Sequence, residues 1–184
     1  MSKFMRAVIV FAAIAGWETV VAQEHPVSSK TIPDSFNLIW KSLAQDFTSL
    51  AEAMPEDKWS FRPTQGAFTN VRTFGEQVKH VACANEAWAK QILGEKPPER
   101  CDLGGPNSAK TKSEILAYLR DSFLRMDEAI VSTNANNLLQ PVSGPYWGDN
   151  RLASLTAALW HVSDHYGQLV EYLRMNGFVP PASR

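Results

Sequence analysis

The chain has 184 residues, of which 45% are hydrophobic and 20% charged, with 18 basic and 19 acidic side chains. This much apolar surface must be buried, which excludes a disordered or low-complexity protein, and the length fits a single domain. No stretch rich in Lys and Arg is found, so the sequence offers no electrostatic footprint for nucleic acid. Two cysteines are too few for a scaffold built from disulfides.

The N-terminus has the pattern of a secretory signal peptide. Two cations, Lys3 and Arg6, precede a short apolar run, and small residues follow at positions −3 and −1 of a cleavage site after Ala22. The apolar run is too short to span a bilayer, and no cysteine lies near the cleavage site to carry a lipid anchor. We therefore expect residues 1–22 to be removed on export, leaving a tail over residues 23–32 and a periplasmic or secreted protein without a membrane anchor. A short apolar N-terminal helix is the alternative.

Helical periodicity of apolar residues recurs four times, and no alternating strand pattern is found. The first helix is predicted to begin around Pro33 and to end before Pro55. The second and third begin with the capping-box pattern Thr-x-x-Glu at Thr73 and Thr111, and the fourth ends before Gly177. The four apolar stripes consist of Phe36, Trp40, Leu43, Phe47, Leu50 and Met54; Phe74, Val78, Val81, Asn85, Trp88 and Ile92; Ile115, Leu119, Phe123, Met126 and Ile130; and Leu155, Leu159, Val162, Tyr166, Leu169 and Leu173.

Four amphipathic helices without strands predict an all-α protein, a four-helix bundle. Its helices are joined by three loops rich in Pro, Gly and Asn, at about residues 55–72, 94–110 and 132–150. Loops of this length are long for a bundle, so we expect them to cap one end of it and to shape a pocket there. Tyr146 and Trp147 would form a wall of that pocket, or else simply pack against the bundle.

Three of the four histidines fall on equivalent flanks of the second and fourth helices. His161 and His165 are four residues apart, hence one turn apart on one face, where two imidazoles can hold one metal ion. His80 lies on the matching flank of the second helix. Three imidazoles make an open site with one coordination position left, so metal-bound water is the reactive group we expect. Zn, Ni or Fe(II) would accept these ligands; histidines hydrogen-bonded within the bundle, with no metal, are the alternative.

Several further residues are candidates for supporting roles. Asp46 on the first helix and Gln168 on the fourth are candidates to orient a ligand histidine through its other ring nitrogen, although Asp46 is more typical of a solvated surface carboxylate. Asp164 is expected to point away, and Cys83 lies off the histidines' line of approach and is interpreted as a non-ligand. In an oxidising compartment Cys83 and Cys101 form either a disulfide or two unpaired thiols, and the sequence leaves both open.

The stretch around the histidine pair resembles the final helix of DinB-like proteins. That family shows H-x-x-x-H followed by a Gly-Gln pair, then an Arg and a Gly-x-x-Pro ending. The matching residues are His161, His165, Gly167, Gln168, Arg174, Gly177 and Pro180. Residues 73–82 are similar to the family's other signature, which supplies the third histidine, and residues 59–63 (W-x-F-R-P) are similar to its connector between the first two helices. The resemblance covers about residues 33–181.

The resemblance implies a bundle of the DinB/YfiT type, often a homodimer, with a divalent metal on His80, His161 and His165. Some relatives transfer low-molecular-weight thiols such as bacillithiol or mycothiol, or isomerise substrates with them. Those thiols are cytosolic, whereas this chain carries an export signal, which argues against a thiol transferase. We therefore expect a metal-dependent hydrolase or transferase acting on an unidentified small molecule. A non-catalytic metal-binding or dimerisation module is the alternative.

Overall fold

The protein is represented by a computed structural model that describes residues 31–183. In this part of the chain the α-helices are α1 (Ile32–Ala53), α2 (Phe74–Leu93), α3 (Lys112–Val131) and α4 (Arg151–Met175), and no strand is formed. The predicted all-α architecture is confirmed. The predicted signal peptide and all but the last two residues of the predicted tail lie outside the described residues. None of the described helices is both long and apolar enough to cross a membrane.

The predicted helix starts are confirmed by their caps. In α2 the Thr73 hydroxyl accepts the backbone N–H of Glu76, and the Glu76 carboxylate accepts the backbone N–H of Thr73 at 2.7 Å. The same reciprocal box begins α1 at Thr31 and α3 at Thr111. Each box satisfies two N–H groups that the first turn of a helix leaves without an intrahelical partner. Gly94, in the left-handed conformation, ends α2.

Two of the three long loops cross the bundle diagonally. α2 packs against α3 and α4, and α1 packs against the same two helices, so α1 and α2 occupy opposite corners. The α1–α2 and α3–α4 connections therefore span a diagonal, while the α2–α3 connection joins neighbours. The core between the helices includes the fully buried Trp40, Phe47 and Phe74, and the Trp40 indole donates to the Phe123 carbonyl at 3.3 Å.

The loops fold along the side of the bundle. A disulfide joins Cys101 of the second loop to Cys83 at the middle of α2. Gln91 of α2 donates to the carbonyls of Tyr146 and Gly148 in the third loop, at 3.2 Å each. Gly148 has φ 113°, and a Cβ there would lie 2.5 Å from a backbone nitrogen of α4, so the close approach requires glycine. Because the loops are held to α2 in this way, the pocket they shape lies at mid-length of α2 and α4. This pocket thus lies away from the end of the bundle where a pocket was expected, although the first two loops also line a second cavity beside the first turn of α2.

Candidate metal centre

The three histidines singled out in the sequence meet in the structure. The Nε2 atom of His161 lies 3.0 Å from Nε2 of His80 and 3.1 Å from Nε2 of His165. His80 comes from α2, and the other two come from successive turns of α4. His165 is only 8% exposed, and the other two rings are half-buried. Three nitrogen atoms thus converge on one point from two helices, an arrangement with the dimensions of a metal site.

The opposite ring nitrogens have three different environments. Nδ1 of His80 lies 2.6 Å from the backbone oxygen of Cys101. A carbonyl only accepts, so the His80 proton is on Nδ1 and the Nε2 lone pair faces the other histidines. Nδ1 of His165 lies 2.9 Å from the side-chain nitrogen of Gln77. Nδ1 of His161 is buried without a hydrogen-bond partner among the described residues, and this ring packs against Trp88, with centroids 5.0 Å apart.

All three imidazoles are neutral at neutral pH. Burial, reinforced by the neighbouring His165 and His80, lowers the pKa of His161 to about 2. Burial also lowers the pKa of His165 to about 4, with His80 and Arg72 acting in the same direction, and lowers the pKa of His80. Neutral imidazole is the form that binds a metal. As placed, the Gln77 amide nitrogen donates to Nδ1 of His165, which leaves the proton of that neutral ring on Nε2, 3.1 Å from Nε2 of His161.

A chain of amides continues from His165 towards the surface. Gln77 of α2 donates to Oε1 of Gln168, and Gln168 donates in turn to a carboxylate oxygen of Asp164 at 2.7 Å. Gln168 thus lies beside both Gln77 and His165, and its side-chain hydrogen bond to the ring acts to raise the pKa of His165 against the larger effect of burial. Asp164, which was expected to point away, lies at the edge of the cavity in front of the histidines.

Asp46, the other predicted supporting residue, lies apart from the histidines. It has no hydrogen bond to any of the three within residues 31–183; its charge acts instead, together with burial, to raise the pKa of Tyr166. The reason is the diagonal arrangement, because α1 occupies the corner opposite α2 and does not border the His80 flank. Its predicted role in orienting a ligand histidine thus has no supporting contact among the described residues.

The cysteines form a disulfide rather than two free thiols. Of the two alternatives that the sequence left open, the structure has the bridge. Both sulfurs are bonded to each other, in agreement with the interpretation of Cys83 as a non-ligand. The bridge also fixes the segment whose carbonyl accepts the His80 proton.

A cavity of about 450 Å³ opens in front of the histidines. All three long loops contribute to it, through Arg72, Asp102 and the Tyr146–Trp147 pair, so the predicted wall residues do line it. The sequence did not point to Arg72 or Trp160 as residues of the site. Arg72 directly precedes Thr73, the predicted cap of α2, and Trp160 directly precedes His161. Trp88 was assigned only to the core stripe. Its indole also donates to the Trp147 carbonyl at 2.9 Å and borders the cavity.

A larger neighbouring cavity, of about 610 Å³, shares Arg72 and Asp102 with the first and is also lined by Gln77 and Gln168. It contains none of the three histidines. The smaller cavity is therefore the one that can bring a ligand to the converging nitrogens.

Comparisons with known proteins agree with the fold and with the resemblance seen in the sequence. The family model of the DinB superfamily matches residues 40–169. A crystal structure of a DinB-like protein from Bacillus cereus is similar at a TM-score of 0.65 and 17% identity, over 84% of this chain and 98% of that one. At this identity the structural likeness concerns the fold alone. No match was found among curated proteins. Since the family model covers more than half of the sequence, the chain belongs to the DinB superfamily.

Proposed function

We propose that His80, His161 and His165 bind one divalent metal through Nε2, and that the protein is a metal-dependent hydrolase or transferase of a small molecule. The observation that carries this proposal is the convergence of three neutral imidazole nitrogens, 3.0 and 3.1 Å apart, at the floor of a cavity. Metal–nitrogen bonds of about 2.0–2.1 Å place tetrahedral ligand atoms roughly 3.3 Å apart. The side chains therefore need only a small outward movement to bind an ion.

The surroundings of His80 and His165 suit this role. The Cys101 carbonyl holds His80 in the tautomer with a free Nε2 lone pair. His165 can ligate through Nε2 only with its proton on Nδ1, which then needs an acceptor. A half-turn of the Gln77 amide, which barely changes its shape, supplies its oxygen. The Gln168 amide would then have to turn as well, so that its nitrogen donates to the Gln77 oxygen. Asp164, which now accepts from Gln168, is exposed and has room to move.

Three histidine ligands leave a coordination position free on the cavity side, which favours a catalytic metal over a purely structural one. Structural zinc generally has four protein ligands and often includes cysteine, whereas here both cysteines are in the disulfide. A divalent metal on three imidazoles would supply Lewis acidity towards the cavity. The chain's own groups facing that space are the Arg72 guanidinium and the carboxylates of Asp102 and Asp164, which can bind and orient a polar ligand. Zn, Ni and Fe(II) all suit imidazole ligands.

We also propose that the protein is exported from the cytoplasm. The disulfide between Cys83 and Cys101 suits an oxidising compartment, in keeping with the signal peptide expected over residues 1–22. The homodimer implied by the family resemblance stays a prediction.

Metal analysis tests the proposal. The protein is purified without a His tag, and its metals are measured by mass spectrometry beside His161→Ala and a control, His25→Ala, which removes the histidine that was not assigned to the site. We expect about one metal per chain in the wild type and the control, and almost none in His161→Ala. The bound ion then directs a screen of ester, amide and transfer substrates. A metal-loaded protein with no turnover on any of them would favour the non-catalytic module. A metal-free wild type that resists reconstitution would contradict the proposal.

A further inference from the structure

The walls of the histidine cavity are more aromatic than a metal site requires. Four large aromatic side chains line it: Trp88, Tyr146, Trp147 and Trp160. Cavities that bind small molecules are typically lined by apolar and aromatic side chains with a few well-placed polar groups. A volume of about 450 Å³ is within the range of such sites and admits a molecule of one or two fused rings.

These walls are held in place by hydrogen bonds. The Trp88 indole donates to the Trp147 carbonyl at 2.9 Å, and the Tyr146 hydroxyl donates to the Pro98 carbonyl at 2.7 Å. Gln91 donates to the carbonyl on either side of Trp147. The third loop is thus tied to α2 and to the second loop, so a ligand meets walls that are already formed and does not have to order them on binding.

Two of the tryptophans that line the cavity are largely exposed to solvent. Trp147 is 67% exposed and Trp160 54% exposed, and their rings stack with centroids 5.4 Å apart and planes 27° apart. Exposed neighbouring apolar side chains of this size on a globular surface are a mark of ligand or partner sites. Because the pair borders the histidine cavity, a flat apolar ligand lying against it would also reach the converging nitrogens.

Arg72 adds a positive charge without a counter-ion. Its Nε and Nη2 both donate to the backbone oxygen of Asp102, at 3.1 and 2.8 Å. That acceptor is neutral, and no carboxylate forms an ion pair with Arg72 within residues 31–183. Arg72 lines the cavity together with all three histidines. The remaining N–H groups of the guanidinium fit a planar carboxylate.

The overall charge of the cavity also favours an anion. Asp102 and Asp164 line it together with Arg72, so the protein groups alone are net negative by one. A bound divalent cation makes the cavity net positive by one, and a ligand with a single negative charge neutralises it. The metal and Arg72 would then attract an anion, while the aromatic wall selects its shape.

We infer that the cavity binds planar aromatic carboxylates, with the ring against Trp147 and Trp160 and the carboxylate at Arg72. This inference deepens the proposed function and rests on it, because it places the ligand's acid group beside the metal site. The substrate class is then an aromatic acid, or a derivative that releases one.

The test uses Zn²⁺-reconstituted protein whose metal content is checked by mass spectrometry, and it measures binding rather than turnover. The probes are 2-naphthoate, 2-naphthylmethylamine, which has the same rings with a positive charge, and butyrate, which has the carboxylate without rings. Binding is followed by calorimetry. We expect 2-naphthoate to bind about tenfold or more tightly than either comparison probe.

Two variants assign the contacts. Arg72→Gln should weaken naphthoate binding about tenfold, while Arg62→Gln, which removes a guanidinium from the neighbouring cavity, should leave it unchanged. Trp160→Leu should weaken naphthoate but not butyrate. A zinc-loaded protein that binds naphthoate no better than the amine, or that binds it independently of Arg72 and Trp160, overturns the inference and leaves the proposed function standing. Naphthoate binding through these residues in a protein that retains no metal supports the ligand class and overturns the proposed function.

Discussion

His80 donates its Nδ1 proton to the backbone oxygen of Cys101 across 2.6 Å, and Cys101 is bonded through its sulfur to Cys83, three residues beyond His80 on α2. The disulfide therefore fixes the acceptor that orients a proposed metal ligand. The bridge closes a loop with a sequence separation of 18 residues, which brings the second loop back onto the middle of its own preceding helix. The Cys83–Cys101 disulfide therefore helps to set the orientation of the His80 ring.

Removing the bridge should weaken both folding and metal binding. For Cys83→Ala combined with Cys101→Ala we expect a loss of about 3 kcal/mol in the free energy of unfolding, since a loop of this length is no longer constrained in the unfolded chain. Metal affinity should fall about tenfold or more because the Cys101 carbonyl is no longer held. Urea unfolding and chelator competition measure the two effects. Wild type treated with reductant is the matched comparison, and unchanged affinity in both samples would show that the carbonyl stays in place without the bridge.

Gln77 should matter for metal affinity through His165. Gln77→Leu keeps the volume of this buried side chain but removes the amide beside Nδ1, whose oxygen would accept the Nδ1 proton after a half-turn, so we expect about a tenfold loss of affinity. Gln77→Glu supplies a carboxylate acceptor and should restore binding. The control is Gln45→Leu, on the exposed surface of α1. Equal affinity in the leucine and glutamate variants would show that Gln77 does not orient the ligand.

The metal-free protein should lose stability as the pH falls below about 6.5. The pKa of His165 is lowered to about 4 and that of His161 to about 2, so between these values and the ordinary 6.5 the unfolded chain binds protons that the folded chain does not. Stability therefore rises with pH in this window, by up to about 1.4 kcal/mol per pH unit for each such histidine. Urea unfolding in the presence of EDTA, from pH 7.5 to pH 4.5, measures the slope. His161→Gln should have a shallower slope, and identical slopes in the two proteins would contradict the assignment.

Metal should stabilise the folded protein. At a free metal concentration of about one hundred times Kd, binding to the native state adds about 2.7 kcal/mol, which corresponds to roughly 5–10 °C in Tm for a chain of this size. EDTA should remove this increment from the wild type and have no effect on His161→Ala. Differential scanning calorimetry with and without EDTA measures it. An equal response of the two proteins would mean that the stabilising ion binds elsewhere.

Helix boundaries were predictable because their signals are local. Thr73 and Glu76 are three residues apart, and the side chains that cap α2 are the ones in the pattern itself. The histidines were predictable for a similar reason, since their position beside each helix's own apolar stripe follows from helical geometry alone. The family resemblance added the pairing of α2 with α4.

The rest of the site depends on relations between distant segments. The acceptor of His80 is a backbone oxygen, which any residue at position 101 would offer, so the sequence carries no signal for it. Arg72 is held at the cavity by its hydrogen bonds to the Asp102 carbonyl, 30 residues along the chain. Asp46 had the correct helical angle, yet α1 stands at the corner opposite α2. Helical angle within one element does not determine which corner of a bundle that element occupies.

The metal centre is tested most directly by a crystal structure of the protein soaked in or grown with Zn²⁺, with anomalous data on both sides of the zinc absorption edge. We predict one strong anomalous peak within about 2.0–2.2 Å of Nε2 of His80, His161 and His165, with no fourth protein ligand. No peak at the three histidines at full zinc saturation, or a peak elsewhere with the three rings hydrogen-bonded to one another, would contradict it.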